Sequence, residues 1–362
     1  MITRKTAQFF LFPGVLALAL APSAFAQNVT VFATGLNNPR GLKFGPDGNL
    51  YVAEGGRGGS NSTVGQCQQV PSPVGPYTGG NTGSISRIAP DGTVTRFVTN
   101  LPSSQTAPMQ GSLVSGVADV AFIDDTLYAV LAGAGCSHGV PGADNAVLKV
   151  NKDGTTSVVA DLSAFIKAHP VANPNPDDFE PDGTWYSLIA VHDTLYTIEP
   201  NHGEIDSIST GGHVRRVADI SNVQGHIVPT AVAFDGHDFL VGNLDTFPIK
   251  DDSSKILKIT PGGAITTVYM NLSDILGLVV DAKGRIYVLE NTTQNPFPTP
   301  FTAMVLRVDG KNTYTDIADG FTSPLALPTG MTIGPDGALY VSNWGFGLGA
   351  GGGQVLRVTL PD

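Results

Sequence analysis

Charge is what this chain is short of. Only 14% of its residues are charged, split into 31 acids and 20 bases, for a formal net charge of −11. No block of lysines or arginines breaks the acidic balance. Such a surface repels nucleic acid and anionic membrane and argues against both as partners. Cysteine is scarcer still. Cys67 and Cys136 are the whole supply, too few for a zinc site without histidine. Catalytic signatures are also missing: there is no GxSxG nucleophile elbow and no HExxH. EGGRGGSNS, residues 54–62, follows no βαβ pattern and so is no nucleotide cradle. Seven histidines share no fixed spacing. His192, His213 and His237 fall in or beside tight turns, and His138, His169, His202 and His226 in long connections, which leaves each without a motif.

Long apolar runs are absent too, except at the start. MITRK supplies Arg4 and Lys5, an apolar stretch runs from Phe9 to Ala21, and Ala24-Phe25-Ala26 is a small-x-small cleavage site. These are the three parts of a secretory signal peptide, too short and too broken by Pro13 for a membrane anchor. The expectation is cleavage after Ala26 and export to the periplasm or beyond, with residues 27–362 forming one domain. Losing Arg4 and Lys5 takes the formal charge from −11 to −13.

What the chain has in quantity is turn formers, 44 glycines and 26 prolines. They punctuate a repeat. GLKFGPDGNLYVAE, DVAFIDDTLYAVLA, SLIAVHDTLYTIEP, AVAFDGHDFLVGN, GLVVDAKGRIYVLE and GMTIGPDGALYVSN are six versions of one phrase. Each is followed by a second phrase of the type GSISRIAPDGTVTRFV, the sixth stopping early at GQVLRVTLPD. Both phrases alternate apolar and polar residues around an Asp/Gly turn, which is the pattern of a hairpin with positive φ or an Asx turn at its tip. Two hairpins per unit and units of roughly fifty residues predict an all-β, six-bladed propeller with four-stranded antiparallel blades. The last unit lacks a fourth strand. NVTVFATGL, residues 28–36, resembles the closing strand of the first unit, so it is expected to pair with Val355–Val358 and close the ring.

In such a ring the hairpin turns lie on one rim and the longer connections on the other. The long ones are Gly55–Gly83, Gly133–Asn145, Ser163–Thr184, Ser221–Pro229, Leu244–Ser254, Asn291–Thr302 and Trp344–Gly353, all on the second rim, where functional loops belong. Cys67 and Cys136 fall in inter-hairpin loops of adjacent units, the expected site of a disulfide in an exported protein. The channel mouth on that rim should carry the strand-end residues Glu54, Glu199, Asn243, Glu290 and Asn343, with Ala132 breaking the series. The inner-strand starts near Arg40, Asp119, Tyr186, Thr230 and Thr329 belong there too. These form a candidate ligand site. Glu54, Asp119, Glu199 and Glu290 form a candidate set of oxygen ligands for Ca2+, against the plainer reading that they tie loops down. NPDDFEPD, holding Asp177, Asp178, Glu180 and Asp182, is a candidate second acidic site, against the plainer reading of a solvated turn-rich loop.

AEGGRGG, TGSISRI, SGVADVAF, NPNPDDFEPDGTWYSLIA, PTAVAF with GNLDTFP, and PTGMTIGPDGALYVSN together resemble the ScyD/ScyE family of exported bacterial propellers, over essentially the whole mature chain. More distantly the chain is similar to NHL-repeat propellers and the gluconolactonase group. The first resemblance implies a fold and a periplasmic or secreted location, and no single activity. The second implies a Glu/Asn/Asp set around a divalent metal at the channel mouth, which Glu54, Asp119, Glu199, Asn243, Glu290 and Asn343 could imitate. Relatives often carry glutamate where this chain has Asn243, which removes one anion. The leading expectation is a monomeric binding or accessory protein that takes a small molecule, carbohydrate or protein on its long-loop face. The alternatives are a metal-dependent lactone or ester hydrolase and a structural envelope protein.

Overall fold

The computed structural model describes residues 28–361. The expected signal peptide lies outside the described residues. Six antiparallel sheets follow one another around an axis, each packed against the next and the sixth against the first. Blade 1 holds Pro39–Phe44, Leu50–Glu54, Thr78–Ile88 and Val94–Gln105, and blade 2 holds Val117–Ile123, Thr126–Leu131, Ala146–Val150 and Thr156–Asp161. Blade 3 runs through Leu188–Val191, Thr194–Glu199, Glu204–Ser209 and Val214–Asp219. Blade 4 has Pro229–Phe234, Phe239–Asn243, Ser254–Ile259 and Ile265–Leu272. Blade 5 is Ile275–Val280, Ile286–Glu290, Met304–Gly310 and Thr313–Asp319. Blade 6 takes Gly330–Ile333, Leu339–Asn343 and Gly353–Val358 from the end of the chain, and Val29–Leu36 from the beginning. That N-terminal strand pairs antiparallel with the last one, Val29 opposite Val358 and Val31 opposite Leu356.

The repeated turns work as their composition requires. Asp47, Asp91, Asp153, Asp235, Asp281 and Asp336 each accept the backbone N–H two residues on, at 2.8–3.1 Å. A glycine with positive φ, such as Gly48 or Gly337, completes the reversal in the GPDG turns. The core is not one mass. Six clusters of buried side chains occupy the six interfaces, so each blade covers its neighbours' faces. The tyrosine of the LYV phrase is part of this seam. Tyr340 of blade 6 meets Phe44 of blade 1 edge-on at 4.8 Å, and Tyr51 of blade 1 meets Phe122 of blade 2 at 5.2 Å.

Three details depart from the sequence reading. Blade 1 carries a fifth, two-residue strand, Val114–Ser115, and its third strand starts at Thr78, inside the segment expected to be loop. Short helices, Leu162–Ala168 and Ile220–Gln224, interrupt two connections expected to be irregular. Each starts behind an aspartate that ends an outer strand, Asp161 accepting from Ala164 N and Asp219 from Asn222 N, so ADLS and ADIS are N-caps. Among the described residues no helix is long and apolar enough to cross a membrane.

Candidate functional site

Strand ends come first, because the sequence placed most of its candidates there. All five are buried. Glu54 accepts from Ser84, Ser86, Arg96 and the backbone N–H of Asn37. Glu199 accepts from the N–H of Thr184 at 2.7 Å and from that of His202, and Glu290 from the N–H of Ser273 at 2.7 Å. Asn343 accepts from Ala326 N and donates to Pro324 O. In four blades, then, the side-chain oxygen takes an N–H of the connection leading into the inner strand. That N–H has no ladder partner, and at Ser273 and Ala326 the bond is buried as well. Blade 4 solves the problem in reverse, since its connection presents a carbonyl. Asn243 donates Nδ2 to Ile227 O at 2.9 Å and accepts Lys255 N at 2.8 Å. Asparagine fits there because glutamate could not donate. In blade 2 the backbone does it alone, Ala132 N donating to Gly116 O.

The inner-strand residues tie the ring together. Thr230 Oγ1 of blade 4 donates to Ile275 O of blade 5, Thr329 Oγ1, just before blade 6, donates to Pro39 O of blade 1, and Asp119 Oδ2 of blade 2 accepts Leu188 N of blade 3 at 2.7 Å. Tyr186 reaches across the axis instead. Its hydroxyl donates to Thr329 O at 2.7 Å, joining opposite sides of the ring, and the nearby Arg40 guanidinium donates to Val114 O. Burial holds the Tyr186 phenol well above its ordinary pKa, which keeps it a donor. Beyond this bar the six inner strands enclose an axial cavity of about 80 Å3. Asp119 and Lys43 both line it. Burial raises Asp119 to about 7 against the pull of two backbone N–H donors. Lys43 reaches into the lumen, exposed to it yet surrounded by protein, and that enclosure lowers its pKa.

The structure thus gathers Arg40, Asp119 and Tyr186 around the channel and leaves Glu54, Glu199, Asn243, Glu290 and Asn343 each with its own blade. Among the described residues no group of three or more His, Cys, Asp or Glu side chains is arranged to hold a metal ion. Glu54, Asp119, Glu199 and Glu290 are therefore not brought together into a metal centre.

A larger space lies among the long loops. Cys67 and Cys136 are disulfide-bonded, and the bridge forms one wall of a groove of about 450 Å3. Ile166, Pro174, Phe179 and Pro181 give it apolar surface. Lys167 and Asp182, an ion pair, give it its charge. NPDDFEPD is not the solvated loop its composition suggests. Asp182 accepts both the N–H and the hydroxyl of Ser137 at 2.7 Å, and the buried Glu180 accepts the Tyr77 hydroxyl. His138 sits between them. Its Nε2 donates to Gly183 O at 3.1 Å, so Nδ1 accepts the Ser104 hydroxyl at 2.9 Å and the ring is neutral. Burial pushes Glu180 up to about 8 and His138 down to about 4. The Ser104–His138–Glu180 sequence of contacts is buried at every member and lies behind the residues that line the groove. The signal for these residues was faint: a tyrosine and a histidine in two loops and a serine at the end of an outer strand, which only the fold brings together. On the other side of the rim, Phe247 and Phe297 stack at 6.1 Å with 41% and 60% of their surface exposed.

No protein-family model matches the chain, and no curated protein matches it. Solved structures do. A protein of unknown function from Bacteroides thetaiotaomicron is similar with a TM-score of 0.58 at 10% identity, over 92% of this chain and 76% of that one. A protein from Thermus thermophilus assigned as an oxidoreductase (glucose dehydrogenase) gives 0.55 at 16% identity, over 91% and 98%. A gluconolactonase from Xanthomonas campestris gives 0.54 at 11%, over 92% and 89%. The chain is a six-bladed β-propeller. At these identities the likeness reaches the fold and stops there.

Proposed function

We propose that this chain is an exported propeller of the ScyD/ScyE kind that binds a ligand on its long-loop face without transforming it there. One observation carries the reading. The groove beside Cys67–Cys136 is built from the three longest connections and braced by a disulfide and a buried polar network, while the strand-end carboxylates are committed to anchoring loops. A concave, largely apolar, preformed space with few polar groups is what a binding site needs. The resemblance quoted from the sequence supports the family and export, and the disulfide is compatible with an oxidising compartment.

Gln68 and Pro174 line the groove and are exposed, so charging them leaves the core untouched. Arrays of oligosaccharides and peptides probed with wild type, Gln68→Glu and Pro174→Glu test the reading. Binding kept by wild type and lost by both variants is the expected result. Undiminished binding by the variants, or hydrolysis of glucono-1,5-lactone that disappears with EDTA, would contradict it and favour the hydrolase.

A further inference from the structure

Lys43 is the residue the loop-face reading leaves unused. Blade 1 writes its inner strand GLKF where the equivalent positions of the other units hold Ala121, Ile189, Ala233, Val279 and Thr332. One cation has therefore been placed in an axial cavity whose wall mixes leucine and valine side chains, Leu42, Leu188, Val232 and Leu278 among them, with the polar Asp119, Tyr186 and Thr332. Among the described residues it makes no hydrogen bond or ion pair that would explain it as a structural tie. Its neighbour of opposite sign is Asp119, a carboxyl facing the same cavity. The Tyr186 bar closes the long-loop end, whereas Lys43 stands one residue from Phe44, where the strand ends at the short-turn rim.

We propose that the axial cavity admits a small aldehyde or 2-oxo acid and that Lys43 captures it as an imine. The geometry meets the requirements of that step: an amine without a partner, a carboxyl lining the same cavity and space for a molecule of only a few heavy atoms. The amine lone pair adds to the carbonyl carbon and the C=O π electrons move to oxygen, which takes a proton from nitrogen. The resulting hydroxyl leaves as water with a proton from Asp119, forming C=N, and the Asp119 carboxylate remains beside the iminium it balances. No oxidant or reductant takes part. Burial lowers the amine's proton affinity and so favours the reactive neutral form. This site is independent of the groove and stands whether or not the groove binds anything.

The test uses the folded chain with glyoxylate and sodium cyanoborohydride, which reduces an imine in place, followed by peptide mass spectrometry. Lys43 is expected to be marked before the exposed Lys152, Lys283 and Lys311. Lys43→Arg is expected to abolish that first mark while leaving thermal melting unchanged. Marks spread over exposed lysines with Lys43 unmodified, or Lys43 marked no faster than in the denatured chain, would overturn the proposal.

Discussion

Asn243 ties two backbone groups, donating to the Ile227 carbonyl, which also accepts the Asp245 N–H, and accepting the Lys255 N–H. Asn243→Ala should cost about 1–3 kcal/mol in chemical denaturation, since the Lys255 N–H is left without a partner. Asn243→Asp should be at least as damaging despite the near-identical shape, because its carboxylate would face the Ile227 carbonyl. The buried acids make a second residue-scale prediction. Burial raises Glu180, Asp274 and Glu290 to about 8, whereas in the unfolded chain these carboxyls lose their protons near 4 to 4.5. Rising pH across that window therefore favours the unfolded chain, by up to about 1.4 kcal/mol per pH unit for each group. His138 works in the opposite direction between about 4 and its ordinary 6.5, then stops contributing. The melting temperature should fall from pH 6.5 to pH 8, and Glu180→Gln should flatten the fall. A flat or rising profile in wild type would contradict these protonation states. None of this was legible in NPDDFEPD, whose composition describes a turn. Its burial comes from Tyr77 and His138 on other blades' loops.

At the scale of elements, the disulfide joins loops whose cysteines are 69 residues apart, and both cysteines line the groove. In the chain-entropy model a closed loop of this length is worth about 4 kcal/mol, an upper figure given how often such bridges deliver less. Replacing both cysteines with serine should lower the denaturation midpoint and weaken whatever the loop face binds, whereas a binding site elsewhere would show the first effect alone. The hairpins were readable because their cause is local: an alternating pattern and an aspartate two residues before the N–H it accepts. The helices Leu162–Ala168 and Ile220–Gln224 were not read from the sequence: the repeated ADLS and ADIS is their trace, but a seven- or five-residue helix leaves too little periodicity to stand out among turns. The strand Val114–Ser115 had no such signal, being two residues that pair only because Val94–Gln105 overruns its sheet.

For the whole molecule, the repeat states the ring and conceals the site. Six copies of one phrase specify six interfaces, and each interface has its own buried cluster. The sheet formed by Val29–Leu36 with Gly353–Val358 joins the two ends of the described chain, so a protein starting at Pro39 should lose its cooperative melt, with Leu356 and Val358 left uncovered. The candidate site was half legible. Repetition pointed to the strand ends and inner-strand starts, and the structure does give them a shared role, anchoring loops and tying blades together. Repetition is blind to residues that occur once, and Lys43, Tyr77 and the groove are of that kind. The central claim is that the strand-end acids are architecture. Thermal melting of wild type and Glu199→Gln, each with and without EDTA, tests it most directly. The account predicts a lower melting temperature for the variant and no effect of EDTA on either protein. It is contradicted if EDTA brings wild type down to the variant's melting temperature and leaves the variant where it was.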